Sequence, residues 1–338
     1  METLYVVEPG AYLKKDGASL VIIKDKSIIG TIPAQGLQKI VLSGYVSLTG
    51  SVIDFCIKNR IETVFITPTG RFRGRLMVDE HRHVELREAQ YLNLRDDQFC
   101  KRTMKILVKG KLENMLSFLL EKSRYNNDES LKNMAIRIKA LNSFLSEDIS
   151  KEAIRGIEGA GTRFYFSVFN RLIKNPDFTF KNRNRRPPLD PVNALLSFVY
   201  TLLTNEVLSA IKICGLDPYR GSLHEISYGR PSLACDLVEE YRANIGDRLV
   251  INLLNKKMVK PDDFIIRNDV PDNYIDEKEM QQKRPVEMKP YLCKAFLSSY
   301  EAMMGQGAKP YRNTIREQVR NFAEYLLKPE LSYKTVSV

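Results

Sequence analysis

Cysteine, histidine and long apolar runs are all scarce in this sequence, and each shortage closes a class of function. The five cysteines stand at positions 56, 100, 214, 235 and 293, odd in number, widely separated and without a CxxC pair. That spacing assembles neither a zinc ribbon nor a disulfide framework, so the cysteines read as small buried hydrophobes. Only three histidines occur. Two of them, His81 and His83, fall in a charged stretch. A zinc or cysteine enzyme using them with Cys214 or Cys235 lacks the ligand spacing such sites need. Charges interrupt each apolar run before it reaches membrane-spanning length. The start, METLYVVEPGAYLKKDGASL, lacks the basic-then-apolar order of a signal peptide. The expectation is a soluble cytoplasmic protein with no membrane partner. Acidic residues are also short: 41 Asp and Glu stand against 52 Lys and Arg, a net charge of +11. Such an excess favours polyanionic partners, nucleic acid first; the bland alternative is a solvated basic surface.

What is present suffices for two ordinary domains: 338 residues, 43% of them hydrophobic, with no internal repeat or low-complexity tract. Short β-branched runs at 19–23, 27–32 and 39–42, separated by turns, predict an antiparallel meander. Residues 52–57 carry helical spacing, and 61–66 return as a strand before the turn at Pro68, Thr69 and Gly70. The charged run DEHRHVELRE, residues 79–88, marks a linker over 81–92. Beyond it, Phe99, Met104, Leu107, Leu112, Met115 and Leu119 recur at near-helical spacing. The expected fold class is α+β. A small β-rich domain, an antiparallel sheet with one short helix, occupies 1–80, and a larger all-α domain occupies 93–338. The segment after Pro329 is expected to be loosely held.

Three short elements carry candidate chemistry. Glu158 lies in RGIEGAG, residues 155–161, where small neighbours allow a phosphate backbone or another helix to approach; a packing seam with Glu158 exposed is the plain alternative. His224 lies in GSLH, residues 221–224. As a metal ligand it would use one neutral ring nitrogen, the other being held by an acceptor behind it. In SLACDLVEEYR, residues 232–242, Ser232 can cap a helix on which Asp236, Glu239 and Glu240 share one face. Carboxylates that close repel one another unless exposed or neutralised, either by a divalent cation or by Arg230 and Arg242. One histidine with two carboxylates is a mixed site suited to Mg²⁺ or Mn²⁺, and such a site can polarise a phosphoryl oxygen. Lys181, Arg183, Arg185 and Arg186 form a basic loop whose forks match phosphate oxygens. Arg163 and Tyr165, with Phe164 and Phe166, mix cations with rings that stack on bases or simply fill a core.

At this point the sequence resembles a known family. The blocks are RPPLDPVNALLS at 186–197, GLDP followed by GSLH at 215–224, and SLACDLVEEYR at 232–242, with Glu158-Gly159 upstream. They resemble the CRISPR-associated integrase that inserts new spacers, also described as the first Cas endonuclease. Ser222 and Ala243 depart from the family pattern without touching a ligand position. The resemblance implies metal ligands at Glu158, His224 and Glu239, with Asp236 beside the metal as a weaker fourth. It implies Mg²⁺ or Mn²⁺ as cofactor, double-stranded and branched DNA as substrate, and a homodimer formed through the β-rich domain. It also implies a small ferredoxin-like CRISPR-associated partner. The reaction would be attack by a DNA 3′-OH on a phosphodiester, and a basic protein that only binds or scaffolds DNA is the competing reading.

Overall fold

The first strands follow from β-branched runs punctuated by tight turns. The structure, a computed structural model, describes residues 3–67, 72–76, 83–184, 187–266, 285–305 and 310–336. Eight strands open the chain: β1 (Thr3–Val6), β2 (Tyr12–Asp16), β3 (Ser19–Lys24), β4 (Ser27–Pro33), β5 (Lys39–Ser43), β6 (Ser47–Leu48), β7 (Glu62–Ile66) and β8 (Phe72–Leu76). Helix α1 (Gly50–Lys58) lies between β6 and β7. They form two four-stranded sheets, ordered β4-β3-β2-β6 and β1-β5-β7-β8. β3 and β4 form the expected hairpin. Asp25 and Lys26 close it at φ 49° and 64°, the backbone of a two-residue type I′ turn.

The single antiparallel meander is corrected at β5, which pairs in parallel with β1 and β7 in the second sheet. All five β5 residues are buried, whereas β2 buries only Leu13. A strand covered on both faces is the usual setting for parallel pairing, and its continuous apolar run carries no alternation to read. Leu4, Val6, Leu13, Leu20, Ile40, Leu42, Val52 and Cys56 form the core between these elements.

Contacts divide the chain into two compact units that are discontinuous in sequence. One comprises Met1–Glu80, Arg185–Thr201 and Asp262–Ser299; the other comprises His81–Asn184, Leu202–Pro261 and Tyr300–Val338. The helices after β8 are α2 (Val84–Arg95), α3 (Asp97–Asn126), α4 (Glu129–Phe144), α5 (Lys151–Ser167), α6 (Pro191–Cys214), α7 (Ser232–Leu237) and α8 (Arg248–Asn255). Two short strands, β9 (Phe264–Ile266) and β10 (Val286–Met288), then pair antiparallel in the first unit, so the chain beyond residue 93 is not wholly helical. Among the described residues, helices α9 (Pro290–Met304) and α10 (Tyr311–Leu327) follow.

Three further expectations are corrected. His81 and Arg82 of the expected linker lie outside the described residues, but from Val84 the chain is helix α2. Its charges Glu85 and Glu88 are exposed, while Gln90 is fully buried. The Gln90 amide donates to the carbonyls of Asp217 and Arg220 at 2.8 and 2.9 Å and accepts from Asp217 N at 2.8 Å. Second, α6 is long and apolar enough to cross a membrane by length and composition, carrying only Glu206 and Lys212 as charges. Its most apolar window is 78% buried inside the protein, the pattern of a core helix. Third, the described residues after Pro329, 330–336, are tied to the rest of the chain. Tyr333 is buried, and its hydroxyl donates to Glu240 Oε1 at 2.6 Å.

Candidate active site

Helix α3 supplies the floor of the site. Asp96 caps it by accepting from Phe99 N at 2.7 Å. Met104, Leu107, Lys111, Asn114 and Phe118 recur at spacings of three and four, and all are buried. Lys111 and Asn114 are thus polar residues on an otherwise apolar inner stripe. Helix α5 crosses α3 closely, since a Cβ added to Gly161 would lie 2.2 Å from Leu112 Cδ2. Gly156 has open space around its missing side chain, so the small-residue stripe is needed at one position rather than throughout. This approach brings Glu158, three residues before Gly161, onto Lys111. The Lys111 ammonium and the Thr162 hydroxyl (3.1 Å) both donate to Glu158 Oε1.

The carboxylates of residues 236–240 do not share a helix face, which corrects that expectation. α7 ends at Leu237, a 3₁₀ turn covers Val238–Glu240, and a π-helical turn covers Arg242–Asp247 before α8. Ser232 does not cap α7; its hydroxyl bonds the Tyr219 carbonyl and accepts from Gly221 N at 3.0 Å. Each carboxylate then meets its own partners. Asp236, wholly buried, accepts from the backbone N–H groups of Ser222 (2.6 Å), Leu223 (2.9 Å) and His224 (2.9 Å). Its Oδ1 also lies 2.7 Å from His224 Nδ1. A carboxylate has no proton to give, so Nδ1 carries the hydrogen and the lone pair of the neutral ring sits on Nε2. Gly221 makes this loop possible, because a Cβ there would stand 2.5 Å from Asp236 Oδ2.

Glu239 turns the other way, towards Glu158. Lys111 Nζ lies 2.9 Å from Glu239 Oε2, and Arg242 lies 2.9 Å from Oε1. The Lys111 contact is an ion pair without hydrogen-bond alignment, so Oε2 is a buried oxygen with charge compensation but no directed donor. Burial alone would raise the Glu239 carboxyl, but the positive charges beside it, Arg242 first and then Lys111, outweigh it and pull it down to about 2. Glu240 faces away. Tyr333 OH, Val336 N (2.9 Å) and Gln318 Nε2 (3.3 Å) surround it, and burial pushes it up to about 7 against those donors. Arg155 of α5 ties the helix to the histidine loop, its Nε donating to the Leu223 carbonyl at 3.0 Å. Among the described residues no three His, Cys, Asp or Glu side chains converge as a ready metal cluster; the two glutamates meet on a lysine.

The CRISPR-associated protein Cas1 family model matches residues 4–283. A CRISPR-associated endonuclease Cas1 of Chlorobaculum tepidum is 39% identical over 272 residues, covering 79% of each chain. The chain belongs to the Cas1 family. In fold it is similar to a chain of a Cas6-RT-Cas1–Cas2 complex, with TM-score 0.82 and 21% identity over 99% of this chain and 36% of that longer one. It is also similar to a casposase bound to integration product, with TM-score 0.79 and 22% identity over all of this chain and 96% of that one.

Around this Cas1 centre, the other singled-out residues separate. Tyr165, expected among the DNA-contacting residues, is fully buried here and its hydroxyl donates to Asp247 Oδ2 at 2.8 Å. Half-buried Phe166 packs against it and against Phe180, while Phe164 is also half-buried, so of this aromatic run only Tyr165 lies in the core. Arg163 and Lys181 are exposed, and half-buried Arg183 donates to the neighbouring Asn184 carbonyl. Arg185 and Arg186 lie outside the described residues. Sequence reasoning missed Lys111, Arg155 and Tyr333. Only Lys111 left a signal, a lysine on the apolar stripe of α3.

Proposed function

We propose that this Cas1 chain is a metal-dependent DNA integrase and nuclease of CRISPR adaptation, with Glu158, His224 and Glu239 as ligands of Mg²⁺ or Mn²⁺. The observation that carries the reading is the convergence of Glu158 and Glu239 on one ammonium, beside a histidine whose Nδ1 is fixed by Asp236. The donor set suits a hard divalent ion: carboxylate oxygens, one of them buried without a directed hydrogen bond, and one imidazole nitrogen. When bound, the ion supplies polarisation of a phosphoryl oxygen and compensation of charge on the attacking and leaving oxygens. Both Asp236 oxygens are taken by the histidine loop, so we assign Asp236 to holding His224 rather than to the metal.

The reaction is displacement at phosphorus. A DNA 3′-oxygen forms the new P–O bond, the old bond to the target strand's 3′-oxygen breaks, and that oxygen leaves as a hydroxyl. Water in place of the 3′-OH gives the nuclease reaction. Exposed Arg163 and Lys181, with Arg185 and Arg186, contact the DNA backbone. The names of the similar structures support DNA and a Cas2 partner, and we propose a homodimer joined to a small ferredoxin-like partner of that kind.

The test is strand transfer from a labelled duplex with 3′-OH ends into a plasmid carrying a repeat array, with Mn²⁺ and with partner added. Glu239→Ala is expected to abolish transfer while leaving DNA binding intact, and a chelator is expected to do the same. Full transfer by the variant would refute the ligand assignment, and salt-sensitive binding indifferent to metal would favour the scaffold reading.

A further inference from the structure

We infer that Lys111 is an internal counter-ion that sets the metal affinity of this site, keeping it low in the protein alone and making a DNA phosphate a co-requirement for tight loading. The inference rests on the ligand assignment proposed above. Lys111 Nζ contacts both carboxylates assigned to the ion, Glu158 Oε1 and Glu239 Oε2. Its side chain is only 4% exposed, and α3 is clamped beneath it by the Gly161 crossing. The ammonium is therefore fixed rather than swinging. Arg242 adds a second cation on Glu239. The two carboxylates assigned to the ion are thus matched by two cations, and the Asp236 carboxylate behind His224 is the one negative charge left over.

Ligand carboxylates that are already compensated attract a divalent ion weakly. A phosphodiester adds uncompensated negative charge, so ion and DNA load together. Lys111 has a second effect: without it, half-buried Glu158 would face buried Glu239 with only Arg242 left to compensate the pair, which costs stability. It is thus a positioning residue that trades metal affinity for a fold stable without the ion. A merely structural lysine has a different signature, since its loss would loosen the ligands and weaken metal binding.

The test is Mn²⁺ binding followed by electron paramagnetic resonance, with thermal unfolding alongside, on the full chain with and without a DNA duplex. Lys111→Met is expected to bind Mn²⁺ at least about tenfold more tightly than the wild type in the absence of DNA, since a unit charge a few ångströms away is worth more than that factor inside a protein. Its melting temperature without metal should fall, and its rise on adding Mn²⁺ should exceed that of the wild type. Duplex DNA should tighten wild-type binding more than it tightens the variant. Lys111→Gln, which keeps a donor to Glu158, covers the case in which the methionine variant fails to fold, and Lys111→Arg should keep the low affinity. Equal or weaker Mn²⁺ binding by the folded neutral variants overturns the inference alone, provided that Glu239→Gln removes binding. Binding unaffected by Glu239→Gln, or absent throughout, overturns the ligand assignment and this inference with it.

Discussion

Asp236 accepts from three successive amides of the histidine loop and from the imidazole, and this makes it the residue whose chemistry is easiest to isolate. Asparagine has nearly the same shape but replaces one acceptor oxygen with a donor. In Asp236→Asn at least one of the amides of Ser222, Leu223 and His224, or the imidazole Nδ1, then faces a donor. The ring loses the partner that puts its lone pair on Nε2, so the favoured tautomer changes. Removing such a supporting acceptor commonly weakens metal binding about 10–100-fold. The expected outcome is an Mn²⁺ affinity reduced by that order, with strand transfer reduced in parallel. An Asp236→Asn protein with wild-type affinity would mean that His224 is not a ligand through Nε2.

At the scale of elements, the crossing of α3 and α5 fixes the distance between Lys111 and Glu158. Gly161 is the residue that allows it, since Leu112 is fully buried and its Cδ2 cannot move aside freely. Gly161→Ala is expected to destabilise by about 1–3 kcal/mol through overpacking. Gly156→Ala, in open space on the same helix, is expected to stabilise by roughly 0.5–1 kcal/mol. Thermal unfolding of the pair checks this; equal effects would show that the crossing is looser than the contact at Leu112 implies. The contrast also marks what the sequence could reveal. The glycine stripe was legible as a place of close approach, but not which glycine the neighbour demands, because Leu112 lies 49 positions away. Short-range periodicity made the β3–β4 hairpin, α1 and most helices legible. It misplaced β5, whose partners β1 and β7 are set by burial on both faces. It also made residues 232–242 one helix. The change of helix after Leu237 lets Asp236, Glu239 and Glu240 meet Ser222, Lys111 and Tyr333 separately, partners that no local pattern contains. The blocks around Glu158, His224 and Glu239 carried the resemblance to the family, which composition could not have done.

Across the second unit as a whole, the end of the chain reaches back to brace the turn that carries Glu239. Val336 N donates to Glu240 Oε2 at 2.9 Å, and Asn114 Nδ2 spans the Glu240 and Val336 carbonyls at 2.9 Å each. Gln318 of α10 donates to the Lys334 carbonyl at 2.8 Å. Thr335 packs so tightly on α3 that a Cβ on Gly110 would stand 2.3 Å from its hydroxyl. Terminal position alone predicts a loose segment after Pro329, yet its Tyr333 hydroxyl and Val336 amide are donors that a buried carboxyl needs. A buried Glu240 is costly unless its donors are present, so the tail and the turn should stabilise one another rather than act separately. Tyr333→Phe removes the hydroxyl donor at 2.6 Å and is expected to cost about 1–3 kcal/mol in denaturant unfolding. Glu240→Gln removes the acceptor charge from the same contact. If the two side chains form one brace, the double variant should be destabilised by less than the sum of the single ones, with a coupling of about 0.5–3 kcal/mol. Losses that add within about 0.5 kcal/mol would mean that Tyr333 packs beside Glu240 without supporting it, and that the turn bearing Glu239 is held from α3 alone.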